Sequence, residues 1–183
     1  MTDSPSPFIA AWIARVARLA AGSVRPPAAL DVAMGRGRHT GLLAEAGFRA
    51  FGVDRNPEAL AAALREAARR GLRLHVWAAD LEAGVLPSAR FDLLVCARYL
   101  QRSLFGAIRA GVKPGGVVLY ETFTVRQRSC GAGPRSPDHL LGIGELRQAF
   151  EGWAVLEYLE TEGPEAVARL AARKPASPGH DGP

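Results

Sequence analysis

The chain has 183 residues, enough for one domain with a single well-formed core. Apolar residues make up 48% and charged residues 22%, the balance of an ordinary globular protein rather than a disordered or fibrous one. The 23 basic against 18 acidic side chains leave a net charge of +5, yet 21 of the basic residues are arginines scattered along the chain in runs of two at most, which argues against a concentrated nucleic-acid stripe.

Residues 1–7 are polar and proline-rich and read as disordered. From Phe8, the apolar positions Ile9, Trp12, Ile13, Val16 and Leu19 recur at helical spacing, predicting an amphipathic helix that ends near Gly22. Arg15 and Arg18 interrupt that segment, which argues against a signal peptide or a membrane span. A first strand is expected from Ala28 to Ala33, then a glycine loop, a helix from Arg38 to Ala46 and a strand over Arg49–Val53. Asn56-Pro57 supplies a cap and a first-turn proline for the next helix, which Gly71 ends. The third strand is Arg73–Ala78, and Phe91–Cys96 reads as a fourth, buried on both faces. A helix through Leu104–Ala110, the turn Lys113-Pro-Gly-Gly116 and the strand Val117–Thr122 follow. Thr124 to Leu140 is a Gly/Pro/Arg/Ser-rich loop long enough to favour a functional role.

After a short helix over Glu145–Phe150, strand Trp153–Leu159 is followed about seven residues later by another β-like run, Ala166–Ala171. A parallel crossover needs a dozen or more residues, so these two strands must pair antiparallel. The expected fold is therefore α/β: a doubly wound, Rossmann-like sheet of seven strands with its last strand reversed, in three layers α/β/α. One domain over residues 8–174 is expected, with a disordered tail over residues 175–183.

Candidate chemistry gathers at the strand ends. Asp31 precedes the loop carrying Gly35 and Gly37, Asp54 closes the second strand, and Asp80 follows the third. Glycines let a backbone approach a ligand closely, and an acid at the second strand tip accepts hydrogen bonds from a ribose diol. Gly35-x-Gly37-x-x-Thr40-Gly41 is a poor dinucleotide fingerprint, because its third glycine arrives one place late. Carboxylates without a pyrophosphate cradle suit a cationic, phosphate-free adenosine compound, and S-adenosylmethionine fits.

The chain resembles class I S-adenosylmethionine-dependent methyltransferases over about Phe8 to Lys174. The carriers are Asp-Val-Ala-Met-Gly-Arg-Gly-Arg-His, Gly-Val-Asp54-Arg-Asn, Lys113-Pro-Gly-Gly116 and the reversed hairpin. Gly-Arg-His39, Ala97-Arg-Tyr-Leu-Gln-Arg102 and Tyr120-Glu-Thr-Phe123 are most similar to the small branch related to tellurite-resistance-type methyltransferases. The resemblance implies cofactor contacts by Asp31, Ala33, Gly35, Gly37 and His39, by Asp54 and Arg55, by Asp80 and Leu81, and by Cys96. Acceptor contacts are expected after the fourth and fifth strands, at Arg98, Arg102, Phe123 and Arg126, where arginines suit an anionic acceptor, with Tyr99 and Glu121 to orient or deprotonate it. Ala33 stands where the family's first loop glycine is usual, which alanine tolerates in β geometry. Met34 takes a place often small.

The expected activity is methyl transfer to a small-molecule nucleophile in a reducing cytoplasm, with no metal, since Cys96 and Cys130 lie 34 positions apart. Two alternatives stay open: a nicotinamide-dependent oxidoreductase, and a non-catalytic basic module that binds RNA. The displaced glycine and reversed strand disfavour the first, and the low aromatic content of 7% disfavours the second.

Overall fold

A computed structural model describes residues 4–83, 86–130 and 132–176. Residues 177–183, most of the expected tail, lie outside that range. Helix α1 (Pro7–Leu19) starts earlier than its apolar pattern, because Ser6 caps it: the Ser6 hydroxyl accepts from the Ile9 amide at 3.4 Å. Ser6 is itself buried, so residues 6 and 7 belong to the fold rather than to a loose N-terminus.

The strands β1 (Ala28–Val32), β2 (Arg49–Asp54), β3 (Leu74–Ala78), β4 (Phe91–Ala97), β5 (Val112–Phe123), β6 (Ala154–Glu160) and β7 (Val167–Arg173) form one sheet. Their order is β3-β2-β1-β4-β5-β7-β6. The first five pair in parallel, while β7 inserts antiparallel between β5 and β6. The seven-residue spacing that forbade a parallel crossover thus has its reversed hairpin, and the doubly wound three-layer architecture stands.

Helices α2 (Arg38–Glu45), α3 (Pro57–Arg69), α4 (Leu104–Gly111) and α5 (Glu145–Ala149) complete the layers. Asn56 caps α3, its side chain accepting from the Glu58 amide at 2.9 Å. On one face Ile9, Trp12, Ile13 and Val16 of α1 and Leu43 of α2 pack against Leu93, Val95 and Leu119 of the sheet. On the other, Leu104 and Ile108 of α4, Leu146 of α5 and Phe150 just beyond it pack against Leu30, Leu94 and Tyr120. Successive residues of a strand point to opposite faces, so the central strands β1 and β4 are apolar at nearly every position.

The expected turn at Lys113–Gly116 is a bulged opening of β5. Phe91 pairs with Val112 but Leu93 with Val117, and Gly115 absorbs the excursion at φ +77°. The long connection after β5 is partly ordered by short 3₁₀ turns at Val125–Ser129 and Pro137–His139. Gln127 pins it from within, its carbonyl accepting from the Ala166 amide at 2.7 Å and its amide donating to the Ala132 carbonyl at 2.6 Å.

Candidate active site

The sheet order reverses at β1 and β4, and a cleft opens there at the strand ends, as in other doubly wound sheets. Its volume of about 610 Å³ suits a small-molecule site. One wall comes from β1 to β3: Ala33, Asp54, Arg55, Asp80 and Leu81. The facing wall comes from the ends of β4 and β5 and the long loop: Arg98, Thr122, Phe123, Gly133, Pro134 and His139.

The first wall is built by backbone contacts to carboxylates. Asp54 Oδ2 accepts from the Gly35 amide at 2.7 Å and Oδ1 from the Asn56 amide at 2.9 Å. Each carboxylate oxygen retains a lone pair, so Asp54 can still accept from a diol in the cleft. Asp80 accepts from the Glu82 amide at 3.0 Å, holding its carboxylate beside Leu81, which floors the cleft. Arg55 lies within 4.0 Å of Glu82, an exposed pair.

Gly35 and Gly37 shape the loop with left-handed backbones, φ +54° and +80°, rather than lining the cleft. A Cβ on Gly37 would stand 3.0 Å from Ala63 Cβ and 3.1 Å from Met34 Cε. Ala33 does not keep β geometry: its φ is +54°, in the left-handed region. That conformation costs an alanine about 1–2 kcal/mol, a strain held at the cleft wall. Met34, unusual in its place, tucks its thioether against Gly52 and packs with Leu60 and Ala63.

Several residues expected at the site stand behind it. Asp31 is buried beneath the loop, where its carboxylate accepts from the Thr40 hydroxyl at 2.7 Å. Burial pushes its pKa up to about 7, partly offset by the Thr40 hydrogen bonds. His39 is also buried, its Nε2 accepting from the Ser6 amide at 3.0 Å. Burial first, and then the Arg38 and Arg98 charges, lower its pKa to about 4, so it is a neutral acceptor that tethers the N-terminal segment. Cys96 points into the α4/α5 core, and burial pushes its thiol up to about 12.

Among the expected acceptor and catalytic residues, Arg98, Tyr99 and Phe123 line the cleft. Arg98 takes φ +59°, donates its amide to the Glu121 carbonyl at 2.7 Å, and lays its guanidinium 4.5 Å from the Phe123 ring centre. Its Nη2 donates to Glu165 at 2.6 Å. Tyr99 lines the cleft, and burial first, then the neighbouring Cys96, raise its pKa.

Arg102, Arg126 and Glu121 do not line the cleft. Arg102 forms a two-pronged pair with Glu145 at 2.6 and 2.9 Å and a bond to the Leu140 carbonyl at 2.9 Å. The hydrogen bond holds Arg102 above and Glu145 below their ordinary pKa ranges, and the clamp ties the long loop to the chain after β4. Arg126 pairs with Glu162. Glu121 is wholly buried, because strand alternation turns it toward α1 while its neighbour Thr122 faces the cleft.

Comparison with known proteins decides the family. Residues 29–116 match a methyltransferase domain, and solved S-adenosylmethionine-dependent methyltransferases share the fold over 90% and 93% of this chain. The fold is that of class I methyltransferases, and residues 29–116 carry the methyltransferase-domain match. Methyltransferases of this class use S-adenosylmethionine, which carries a ribose diol and an adenine ring, and the first wall offers such groups the carboxylates of Asp54 and Asp80 and the apolar Leu81. The chain is 35% identical over 137 residues to the ribosomal protein L11 methyltransferase of Thermus thermophilus, a match spanning 70% of this chain and 52% of that protein. The chain spans about half the length of the curated relatives it matches. A structure of an S-adenosylmethionine-dependent methyltransferase from Clostridium acetobutylicum superposes with a TM-score of 0.71 at 13% identity, covering 93% of each chain. TehB from Haemophilus influenzae reaches the same TM-score at 19% identity, covering 87% of this chain and 61% of TehB. At those identities the two structures attest the fold alone.

The loop residues Gly133, Pro134 and His139, together with Leu100, Gln101 and Glu82, are cleft residues that the sequence did not single out. The loop itself was legible from its length. Which of its residues fold back was not, because that depends on Gln127 and the Arg102–Glu145 clamp. Among the described residues no helix is long and apolar enough to cross a membrane, and no group of three or more His, Cys, Asp or Glu side chains is arranged to hold a metal ion.

Proposed function

We propose that this methyltransferase moves a methyl group from S-adenosylmethionine to a small-molecule nucleophile bound against the Arg98–Thr122–Phe123 wall. The observation that supports it is the two-sided cleft: carboxylates and Leu81 on the cofactor side, and on the other a mixed apolar and cationic wall closed by the long loop. Bound S-adenosylmethionine supplies an activated methyl sulfonium, so the protein's task is alignment and exclusion of water. Asp54 orients the ribose, and Asp80, Leu81 and Tyr99 hold the adenine. Phe123 and Pro134 exclude water, while Arg98 and Thr122 orient the acceptor. Tyr99 serves as a positioning residue rather than as a base, since burial raises its pKa and keeps its hydroxyl protonated at neutral pH. For an acceptor that arrives protonated, His139 is the imidazole on the acceptor wall to take the proton. Two free thiols agree with action in a reducing cytoplasm.

The test is turnover of S-adenosylmethionine with a panel of thiols, amines, carboxylates and metalloid oxyanions, reading release of S-adenosylhomocysteine. Ribosomal protein L11 belongs in the panel because of the Thermus relative. Turnover with a small acceptor is expected. Methylation of L11 alone would overturn the small-molecule reading, and binding of NADH without S-adenosylhomocysteine would overturn methyl transfer itself.

A further inference from the structure

Glu121 was expected to act on the acceptor, yet it is sealed behind the cleft in a network the proposed chemistry does not use. Its Oε2 accepts from the Ser6 hydroxyl at 2.9 Å and from Arg169 Nε at 2.7 Å. Its Oε1 lies 3.4 Å from Arg98 Nε and has no hydrogen-bond partner among the described residues. A buried carboxylate shared by two arginines is expensive to desolvate, and an apolar side chain facing α1 would serve stability as well. The arrangement is therefore better explained by what it holds in place.

It holds two parts of the site. Ser6, bonded to Glu121 through its hydroxyl, donates its amide to His39 Nε2 at 3.0 Å, and the Ser4 carbonyl accepts from Arg38 Nη1 at 3.2 Å. Arg38 and His39 are the first two residues of α2, directly after Gly37 of the cofactor loop. On the other side, Glu121 faces Arg98, a cleft residue. One carboxylate at the end of β5 thus meets the N-terminal segment that braces the cofactor loop and the arginine of the acceptor wall.

We propose that Glu121 is a positioning residue for cofactor binding, holding the start of α2 in its binding arrangement through Ser6 and His39. This rests on the reading of the cleft as a S-adenosylmethionine site. The experiment titrates S-adenosylhomocysteine into wild type, Ser6→Ala, Glu121→Gln, Glu121→Leu and the Ser6→Ala/Glu121→Leu double variant. Amide hydrogen exchange is followed over residues 38–45 in each. Ser6→Ala and Glu121→Leu should each weaken binding roughly five- to tenfold, the scale of one lost hydrogen bond. Both substitutions cut the shared Ser6–Glu121 bond, so the double variant should lose less than the product of the two single losses. Glu121→Gln, which keeps an acceptor for Ser6, should recover most of the affinity. Should Glu121→Leu fail to fold, Ser6→Ala and Glu121→Gln carry the test.

Variants that melt earlier but bind S-adenosylhomocysteine as wild type does would show a merely structural carboxylate and overturn the proposal, as would losses that multiply in the double variant. If wild type binds no S-adenosylhomocysteine, the cofactor reading fails on its own. Exchange then still reads the link: faster exchange over residues 38–45 in Ser6→Ala supports it, and unchanged exchange overturns it.

Discussion

Replacing Asp31 by Asn should reverse part of the protein's pH dependence. Asp31 is 1% exposed, and burial lifts its pKa from 3.8 to about 7. The folded state therefore keeps a proton that the unfolded chain has lost, so this group's contribution falls as pH rises from about 4 to about 7. At 1.36 kcal/mol per pH unit, the displacement of about 3 units amounts to about 4 kcal/mol in all. His39 acts in the opposite sense. Its folded pKa of about 4 lies below the ordinary 6.5, so its contribution rises with pH between those values. In wild type the two slopes oppose each other up to about pH 6.5, and Asp31 alone acts from there to about 7. Asp31→Asn removes one slope and keeps an acceptor for the Thr40 hydroxyl. Urea unfolding of both proteins should show the variant gaining about 3 kcal/mol relative to wild type between about pH 5 and pH 8. Parallel stability profiles would refute the burial argument for Asp31.

Three further outcomes test the site and its supports. Asp54→Ala should weaken S-adenosylhomocysteine binding about ten- to a hundredfold, or about 1.5–3 kcal/mol, by calorimetry; unchanged affinity would move the ribose elsewhere. Gly52→Ala would put a Cβ 2.1 Å from Met34 Sδ, so it should cost about 1–3 kcal/mol in urea unfolding, and an unchanged midpoint would mean that Met34 moves freely. Arg102→Ala should cost only about 1 kcal/mol, because the pair is partly exposed, yet trypsin should cut faster at Arg126, Arg128 and Arg135 as the loop loses its clamp. Equal tryptic rates would deny the clamp that role.

The elements and the reversed hairpin were legible in the sequence because they rest on local physics. Apolar spacing, an asparagine cap and a connection too short for a crossover act over a few residues, and β6 and β7 pair as that spacing requires. Asp54, Asp80 and Leu81 were legible for the same reason: each lies at or just beyond a strand tip, and strand tips of a doubly wound sheet face the ligand crevice. Which neighbour of a strand tip turns inward was a tertiary decision. Thr122 and Glu121 are adjacent, yet one lines the cleft and the other is buried toward α1, a choice set by the strand's rotation and its partners. Arg102 and Arg126 read as acceptor contacts until the fold supplied Glu145 and Glu162 as their partners, and His139 enters the cleft from a long loop that Gln127 and the Arg102 clamp fold back. Local sequence sets backbone form, whereas charge pairing and loop closure join residues far apart in the chain, and their free energies exist only once the sheet has brought those residues together.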